Sequence, residues 1–307
     1  MGCVMTTENL PPDEFLNRAE RTDWPSTVDE FLSVEGGTRL FVRHARPPGE
    51  VRAVVVLVHG LGEHSGRYGH VAEALVERGF SVVGWDLRGH GRSSGVRGDV
   101  ATGEILVDDL AAVCAWARQG DTPLFLFAHS LGGQVALRLM ERNPGVCRGA
   151  VIASPWLRLA FDPPWWKLLL ARLAMWVKPA FVQARGMRAE RMSRDRAHLA
   201  SFPDLDLVHH HISARMYFAL RTGGERIFAE AGTLRTPLLL LHGDEDPVTS
   251  HHATCDFFER AGSTDKTLRI YPGARHETHN ELERAQVLRE IGDWMEARLT
   301  ARPASEI

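Results

Sequence analysis

The chain has 307 residues, of which 44% are hydrophobic and 24% are charged, and its formal net charge is -3. This length exceeds that of a typical single core, so we expect one enlarged domain or two domains. The nearly balanced charge gives no electrostatic basis for a nucleic-acid partner. Four widely spaced cysteines without a CxxC pair indicate neither a disulfide framework nor a zinc site, and they favour a reducing, cytoplasmic location.

The amino-terminal stretch has no sustained periodicity, and we predict a flexible lead-in over residues 1–25. Residues 8–20 are polar and acidic where a secretory signal would be apolar. Met1-Gly2-Cys3 matches the pattern for N-myristoylation with a neighbouring palmitoylated cysteine. Because no basic patch follows, we interpret this match as coincidental.

Alternating strands and helices follow the lead-in. Val28–Val34 and Arg39–His44 alternate around Gly36-Gly37, which predicts a β-hairpin. The β-branched run Val54–Val58 predicts a strand buried on both faces of a parallel sheet. The remaining predictions are a helix at Val71–Val76, a strand at Ser81–Trp85, a helix at Ile105–Arg118, a strand at Phe125–His129 followed by a helix, and strands at Ala150–Ala153 and Leu238–His242, then a helix at Asp256–Arg260, a strand at Thr267–Tyr271 and a helix at Glu281–Leu299. This alternation predicts a doubly wound, mostly parallel α/β sheet with helices on both faces and an antiparallel edge.

One serine stands between the Phe125–His129 strand and its helix. The sequence Ala128-His129-Ser130-Leu131-Gly132 is similar to Gly-x-Ser-x-Gly, the nucleophile elbow of α/β-hydrolases. Ala128 replaces the first glycine, which is a minimal change because the position needs only a small residue. We therefore predict that Ser130 is a nucleophile, which requires a base, an acid and an oxyanion hole from the rest of the chain.

The loops after the last two predicted strands supply the acid and the base. In α/β-hydrolases the catalytic residues follow one another along the chain in the order Ser, acid, His, and each lies in a loop after a strand. Asp246 follows Leu238–His242 and is the predicted acid, with Asp244 as the substitute. His276 follows Thr267–Tyr271 and is the predicted base, with His279 as runner-up.

The oxyanion hole needs two backbone N–H groups, one after the nucleophile and one from the loop after the third strand. These positions are Leu131 and Leu61. Gly60 and Gly62 allow the second loop to bend close to the serine.

Between Ser154 and Gly232 the alternation stops, and an aromatic-rich insert appears. Its helix-like run Pro163–Val177 contains Lys167 and Arg172, so it is too short and too charged to span a membrane. Its position beyond the carboxyl ends of the strands favours a cap over an apolar pocket that also touches a lipid surface transiently. We divide the chain into the lead-in, a core of residues 26–154 and 233–307, and an inserted helical cap of residues 155–232.

Several motifs together resemble the monoglyceride lipase and lysophospholipase-like family of α/β-hydrolases. They are His59-Gly-Leu-Gly-Glu-His-Ser-Gly-Arg-Tyr68, Asp86-Leu-Arg-Gly-His-Gly-Arg-Ser93, Ala128-His-Ser-Leu-Gly-Gly133, Ser193-Arg-Asp195, Gly243-Asp-Glu-Asp246 and Pro272-Gly-Ala-Arg-His276. The resemblance implies a capped α/β-hydrolase that cleaves monoacylglycerol to glycerol and fatty acid, with no metal or organic cofactor. It also implies that Glu63, His64 and Arg67 shape or line the polar end of the site.

The resemblance also assigns residues of the insert to the substrate. Trp165 and Trp166 of the cap are implied to contact the acyl chain. Phe202 stands where the family commonly has a tyrosine before an Asp-Pro-Leu triplet, and the Asp-Pro pair is absent here. The missing hydroxyl weakens any glycerol contact from the cap, so the headgroup preference stays open.

Other functions remain as alternatives. A lysophospholipase, a short-chain carboxylesterase and a peptidase of the proline-iminopeptidase type use a similar elbow and cap, and transfer of the acyl group to another alcohol shares the first step. The basic and aromatic insert suits a lipid or a carboxylate product better than a substrate amine. A dehalogenase is disfavoured because it places aspartate where Ser130 stands. A non-catalytic binding module is the alternative of another class. The sequence does not indicate an oligomeric state.

Overall fold

The computed structural model describes residues 24–25, 27–184, 189–202 and 207–299. The Met1-Gly2-Cys3 match and nearly all of the predicted lead-in therefore lie outside the described residues. Trp24 belongs to that stretch and is buried, and its indole N–H donates a hydrogen bond to the carbonyl of Ser65 at 2.9 Å. The ring packs against Gly84, where a Cβ atom would approach it to 2.5 Å.

Within the described residues ten strands form two sheets, and the larger sheet confirms the predicted α/β class. The strands are β1 (Thr27–Val34), β2 (Thr38–Ala45), β3 (Ala53–Val58), β4 (Phe80–Trp85), β5 (Leu124–His129), β6 (Gly149–Ala153), β7 (Val182–Ala184), β8 (His211–Ser213), β9 (Leu238–Gly243) and β10 (Lys266–Tyr271). The order in the eight-stranded sheet is β1-β2-β4-β3-β5-β6-β9-β10. β1 pairs antiparallel with β2, and β2 pairs antiparallel with β4, whereas every other pair in that sheet is parallel.

Helices cover both faces of this sheet. They are α1 (Gly69–Val76), α2 (Gly103–Ala117), α3 (Leu131–Arg142), α4 (Trp165–Val177), α5 (Arg196–Ala200), α6 (Ala214–Glu230), α7 (His251–Arg260) and α8 (Arg284–Glu296). Side chains of β3 alternate between two hydrophobic clusters. Val54 and Val56 face the cluster beneath α2, α3 and α6, whereas Val55 and Leu57 face the one beneath α1 and α8. A strand buried on both faces is a continuous apolar run, as predicted.

The insert after β6 differs in two ways from the helical segment expected from sequence. It contains the antiparallel pair β7–β8, whose three-residue strands are too short to produce a recognisable alternation. Its last helix, α6, packs into the core, because Met216, Leu220 and Ile227 are buried in the same cluster as α2 and α3. By contrast, no residue of α4 is buried.

Candidate active site

Ser130 lies at the tip of a sharp turn between β5 and α3. Its φ of 52° is one of two positive values at a non-glycine residue in the described chain. Such a backbone costs free energy and persists only where its surroundings fix it, which is typical of functional turns. Gly132 permits the turn, because a Cβ atom there would lie 2.3 Å from the carbonyl oxygen of Val58. Ala128 is fully buried on β5, where a small side chain is accommodated.

The structure brings the side chains of Ser130, His276 and Asp246 into one line. Nε2 of His276 lies 3.0 Å from Oγ of Ser130, and its Nδ1 lies 2.7 Å from Oδ2 of Asp246. Ser130 directly follows β5, and His276 and Asp246 lie in the loops after β10 and β9, so the sheet brings the three residues to one edge. All three are buried, and Ser130 lines an open cavity. This is the arrangement that lets an imidazole remove a proton from a serine hydroxyl.

Asp246 is held as a carboxylate by the donors around it. Oδ1 accepts from the backbone N–H groups of Val248 and Thr249 at 2.7 and 3.1 Å. Oδ2 accepts from Thr249 Oγ1 at 2.8 Å and from His242 Nε2 at 3.0 Å, besides His276. Burial alone would raise the pKa of Asp246, but the neighbouring His276 and the hydrogen bonds from both histidines hold that pKa far below its usual range.

The pKa of His276 is shifted in the opposite direction. Burial alone would lower the pKa of this imidazole, but the charge of Asp246 and the hydrogen bond to it raise the pKa above its usual 6.5. Glu277 and Glu63 contribute further in the same direction. The site therefore favours the imidazolium that forms when the base takes a proton.

The runner-up residues have other roles in the structure. Asp244 accepts the backbone N–H of Gly273 at 2.6 Å and so joins the two loops. His279 is fully buried and stacks on Tyr68 with ring centroids 5.0 Å apart. Among the described residues neither ring nitrogen of His279 has a hydrogen-bond partner, and burial holds its pKa well below the usual value.

The two predicted oxyanion-hole residues are near Ser130 in different ways: Leu131 follows it directly in the chain, and Leu61 lines the same cavity. Leu131 is the first residue of α3, where backbone N–H groups have no acceptor within the helix. Leu61 lies in the loop after β3 and lines the same cavity as Ser130. A Cβ atom on Gly60 would lie 3.2 Å from Cβ of Ser130, so this glycine permits the close approach of the loop.

A buried charged network closes one end of the cavity. Arg67 makes a bidentate ion pair with Glu277 at 2.9 and 3.0 Å and contacts Glu63 at 2.8 Å. Glu63 also accepts from the backbone N–H of Gly60 at 2.6 Å and from the hydroxyl of Tyr68 at 2.8 Å. Burial alone would raise the pKa of Glu63, whereas hydrogen bonding to His129 and the charge of Arg67 hold that pKa well below its usual range.

The cavity has a volume of about 210 Å³, and only some of the predicted substrate residues line it. Glu63, Arg67 and Phe202 line it, and the Phe202 ring centroid lies 4.6 Å from Cζ of Arg67. Three predicted substrate residues do not. The ring of His64 caps the following turn by accepting from Gly66 N at 3.2 Å, and Trp165 and Trp166 on α4 are 76% and 49% exposed.

Sequence reasoning missed several residues that the fold brings to this site. Thr249 and His242 hold the Asp246 carboxylate, and Glu277 pairs with Arg67. Glu277 follows His276 directly, but its partner is 210 positions away, so no local pattern indicates the pair. Residues of the insert that line the cavity have an apolar, aromatic or imidazole side chain and are Trp156, Met192, Leu199, Phe202, Val208, His209 and His210.

Comparison with known proteins places this chain in a family. The Hydrolase_4 family model, described as serine aminopeptidase, S33, matches residues 49–283, which is more than half of the chain. A monoacylglycerol lipase of Mycolicibacterium smegmatis is 31% identical over 267 residues, covering 86% of this chain and 95% of that protein. The chain belongs to the monoglyceride lipase and lysophospholipase-like family of α/β-hydrolases.

Two further relatives illustrate the range of the family. The crystal structure of a monoacylglycerol lipase from Paleococcus ferrophilus superposes with a TM-score of 0.76 at 32% identity, covering 84% of this chain and 99% of that chain. An uncharacterised abhydrolase domain-containing protein of Dictyostelium discoideum is 33% identical over 89% of this chain, but the match spans only 29% of that longer protein. The α/β-hydrolase fold expected from the motifs is thus confirmed, and so is membership of a family of carboxylic-ester hydrolases.

Proposed function

We propose that this chain is a serine esterase that hydrolyses monoacylglycerol to glycerol and a fatty acid through an acyl-enzyme on Ser130. The observation that carries the proposal is the line of Ser130, His276 and Asp246, which opens onto a largely apolar cavity with a charged end. Lysophospholipase or general carboxylesterase activity is the alternative, because either would use the same chemistry.

The proposed reaction follows from these positions. Nε2 of His276 takes the Ser130 proton as Oγ attacks the ester carbonyl, and Asp246 stabilises the imidazolium. The N–H groups of Leu61 and Leu131 stabilise the oxyanion of the tetrahedral intermediate. His276 then donates the proton to the departing glycerol oxygen, which leaves the acyl group on Ser130. A water molecule, deprotonated by His276, attacks this second ester, and His276 then returns the proton to Oγ of Ser130 as the fatty acid leaves.

The charged end of the cavity is our proposed glycerol subsite. Glu63 and Arg67 line it, and His64 shapes it by holding the intervening turn. Phe202 supplies a ring over Arg67 but no hydroxyl, so the cap offers an apolar contact there. We therefore expect discrimination between glycerol and other alcohols to come from the core loop rather than from Phe202.

The same charges argue against an aminopeptidase. Binding of a substrate amine requires a carboxylate that is not already neutralised, and both carboxylates that line the cavity, Glu63 and Glu277, are paired with Arg67. The cavity-lining residues of the insert, within the part of the chain that the structure describes, include no carboxylate. An ester of a single-chain lipid fits this lining better.

A matched substrate panel tests the proposal. Release of product is measured from long-chain monoacylglycerol, lysophosphatidylcholine, short and long p-nitrophenyl esters and a prolyl amide, with Ser130→Ala protein as the blank. We expect the highest kcat/KM on the monoacylglycerol and none on the amide. A preference for short esters without regard to glycerol would replace the proposal by a general carboxylesterase, and cleavage of the amide would replace it by a peptidase.

We also propose that α4 brings the cap to a lipid surface. Among the described helices none is long and apolar enough to cross a membrane. Large apolar side chains of α4 nevertheless face solvent, and Trp176 and Val177 are 90% and 87% exposed. Lys167 and Arg172 lie on the same helix, so the surface combines apolar insertion with attraction to anionic headgroups. Trp165 and Trp166 belong to this surface, so we expect them to contact the acyl chain of the substrate at the lipid surface rather than in the cavity.

Removal of the most exposed ring tests this surface. Trp176→Ser is expected to weaken partitioning into anionic phosphatidylglycerol vesicles by about tenfold, because a large apolar side chain no longer leaves water. Sedimentation with vesicles measures the effect. Val28→Ser on β1 is the control, since Val28 is 66% exposed but lies far along the chain from the cap. Equal partitioning of both variants and the parent protein would contradict the proposed role of α4.

The remaining assignments belong to the same proposal. We retain residues 155–232 as the insert that forms the cap and place the enzyme in the cytoplasm, peripheral to a membrane. Covalent labelling of Ser130 by a fluorophosphonate separates this proposal from a non-catalytic binding protein, because only an activated serine reacts. Unlabelled enzyme that transfers the acyl group of its ester substrate to an added alcohol faster than to water would instead indicate an acyltransferase.

A further inference from the structure

One segment of the insert lies against both loops that carry the acid and the base. We call residues 190–195 the cap strap. The Met192 carbonyl accepts from the backbone N–H of Glu277 at 2.8 Å, next to His276. The Arg191 guanidinium donates to the Pro247 carbonyl at 2.6 Å, next to Asp246. Met192 also lines the cavity, so the strap connects the substrate space with the catalytic loops.

Glu281 joins the cap strap to the loop of the base. Its Oε1 accepts from the backbone N–H of Arg275 at 2.8 Å and from that of Arg194 at 3.1 Å. Its Oε2 accepts from Nε of Arg194 at 3.0 Å. One buried carboxylate thus holds both the residue before His276 and the backbone and side chain of the strap.

Neighbouring contacts make this junction rigid. The Ser193 hydroxyl is fully buried and donates to the Asn280 carbonyl at 2.8 Å. Asp195 accepts from the Arg284 guanidinium at 2.6 Å. The Ser193-Arg194-Asp195 motif therefore has contacts throughout its length with the chain that follows His276. A displacement of the strap moves that chain with it.

We propose that Glu281 is a positioning residue that couples the placement of the cap strap to the alignment of His276 between Asp246 and Ser130. This inference rests on the proposed esterase function and adds the element that regulates the site. A cap displaced by substrate or by a lipid surface transmits its movement to the base through this carboxylate. Small misplacements of catalytic groups are sufficient to change the rate, because proton transfer needs close contact.

The protein contains a matched control for this junction. Asp99 also joins the insert to the core, because it accepts hydrogen bonds from Arg215 and the hydroxyl of Ser213, neither of which belongs to the loops that carry Asp246 and His276. The side-chain exposures of the pairs are alike, 27% and 1% for Arg194 and Glu281 and 30% and 2% for Arg215 and Asp99. Loss of either ion pair is expected to cost comparable stability.

The experiment compares Arg194→Ala and Glu281→Gln with Arg215→Ala and Asp99→Asn in full-length protein. A short, soluble p-nitrophenyl ester is the substrate, so that lipid binding does not enter. We expect kcat to fall by about tenfold in the first two variants with little change in KM. The two control variants are expected to retain kcat while showing a similar decrease in the urea midpoint.

The acidic limb of the kcat/KM profile distinguishes positioning from direct electrostatics. The charged and titratable groups that face His276 are Asp246, Glu63, His129 and Glu277. If the base moves away from Asp246, its pKa falls toward 6.5, and the limb moves to lower pH in both junction variants. A purely electrostatic effect would instead raise the pKa when the positive Arg194 is removed and lower it when the negative Glu281 is removed.

The outcomes are separable. Reduced kcat and a downward shift of the limb in both junction variants, with neither change in the controls, support the coupling. Equal kcat losses in all four variants, unchanged kcat in Arg194→Ala and Glu281→Gln, or limb shifts of opposite sign would overturn it. Parent protein that neither hydrolyses the ester nor reacts with a fluorophosphonate would show that the proposed function, rather than the coupling, is wrong.

Discussion

Ser130→Ala is expected to lower kcat by about a million-fold, to the residual rate that binding and oxyanion stabilisation alone provide. The hydroxyl of Ser130 lies 3.0 Å from Nε2 of His276 and is the atom proposed to form the acyl-enzyme. Since alanine is nearly isosteric and occupies the same positive-φ backbone, the fold is expected to persist. Steady-state release of fatty acid, together with circular dichroism and the urea midpoint, separates loss of chemistry from loss of structure.

Two histidine variants provide the comparison for this result. His276→Ala removes the proposed base and is expected to reduce turnover and fluorophosphonate labelling about as severely as Ser130→Ala, because the residues act as a unit. His279→Ala removes a buried ring that stacks on Tyr68, so it is expected to lower stability while labelling of Ser130 persists. An active His276→Ala protein beside an inactive, folded His279→Ala protein would transfer the role of base to His279.

The central sheet was predictable because its signals are local. The run Val54–Val58 is apolar throughout, and the structure places β3 between two other parallel strands and between two hydrophobic clusters. The hairpin around Gly36-Gly37 was equally predictable, because adjacent glycines allow a tight turn. Both glycines have positive φ in the structure. The loops after β9 and β10 follow from the same strand pattern, which is why the sequence alone indicates Asp246 and His276 as candidates.

The insert was less predictable because its contacts join distant parts of the chain. Arg194 and Glu281 are 87 positions apart, and Asp99 and Arg215 are 116 apart, so neither pair produces a local pattern. The tryptophans of α4 illustrate the same limit. Helical spacing in Pro163–Val177 predicted a helix, which the structure places at Trp165–Val177, but not that Trp165 and Trp166 would face solvent instead of the cavity.

Asp246→Asn is expected to lower kcat by about ten-thousand-fold. The carboxylate accepts Nδ1–H of His276 at 2.7 Å, which leaves Nε2 free to accept the Ser130 proton. An asparagine that presents its NH2 group to Nδ1 would select the opposite tautomer, in which Nε2 carries the hydrogen. Asp244→Asn is the matched control, because it is two residues away in the same loop and contacts Gly273 rather than His276. Full activity of Asp246→Asn with an inactive Asp244→Asn would transfer the role of acid to Asp244.

The pH dependence of the same variant follows from the directions of the two pKa shifts. The pKa of His276 is raised, so its protonated form stabilises the fold below about pH 6.5 and this contribution is lost as pH rises through the folded-state pKa. The pKa of Asp246 is depressed, so its contribution to the stability of the fold is present above about pH 3.9 and is lost as pH falls through the folded-state pKa.

In the parent protein the base must be neutral to act, which places the acidic limb of kcat/KM above about pH 6.5. Removing the Asp246 charge removes the main cause of the raised pKa, so the residual activity of Asp246→Asn is expected to have its acidic limb at lower pH. A limb that stays in place would mean that a group other than His276 controls it.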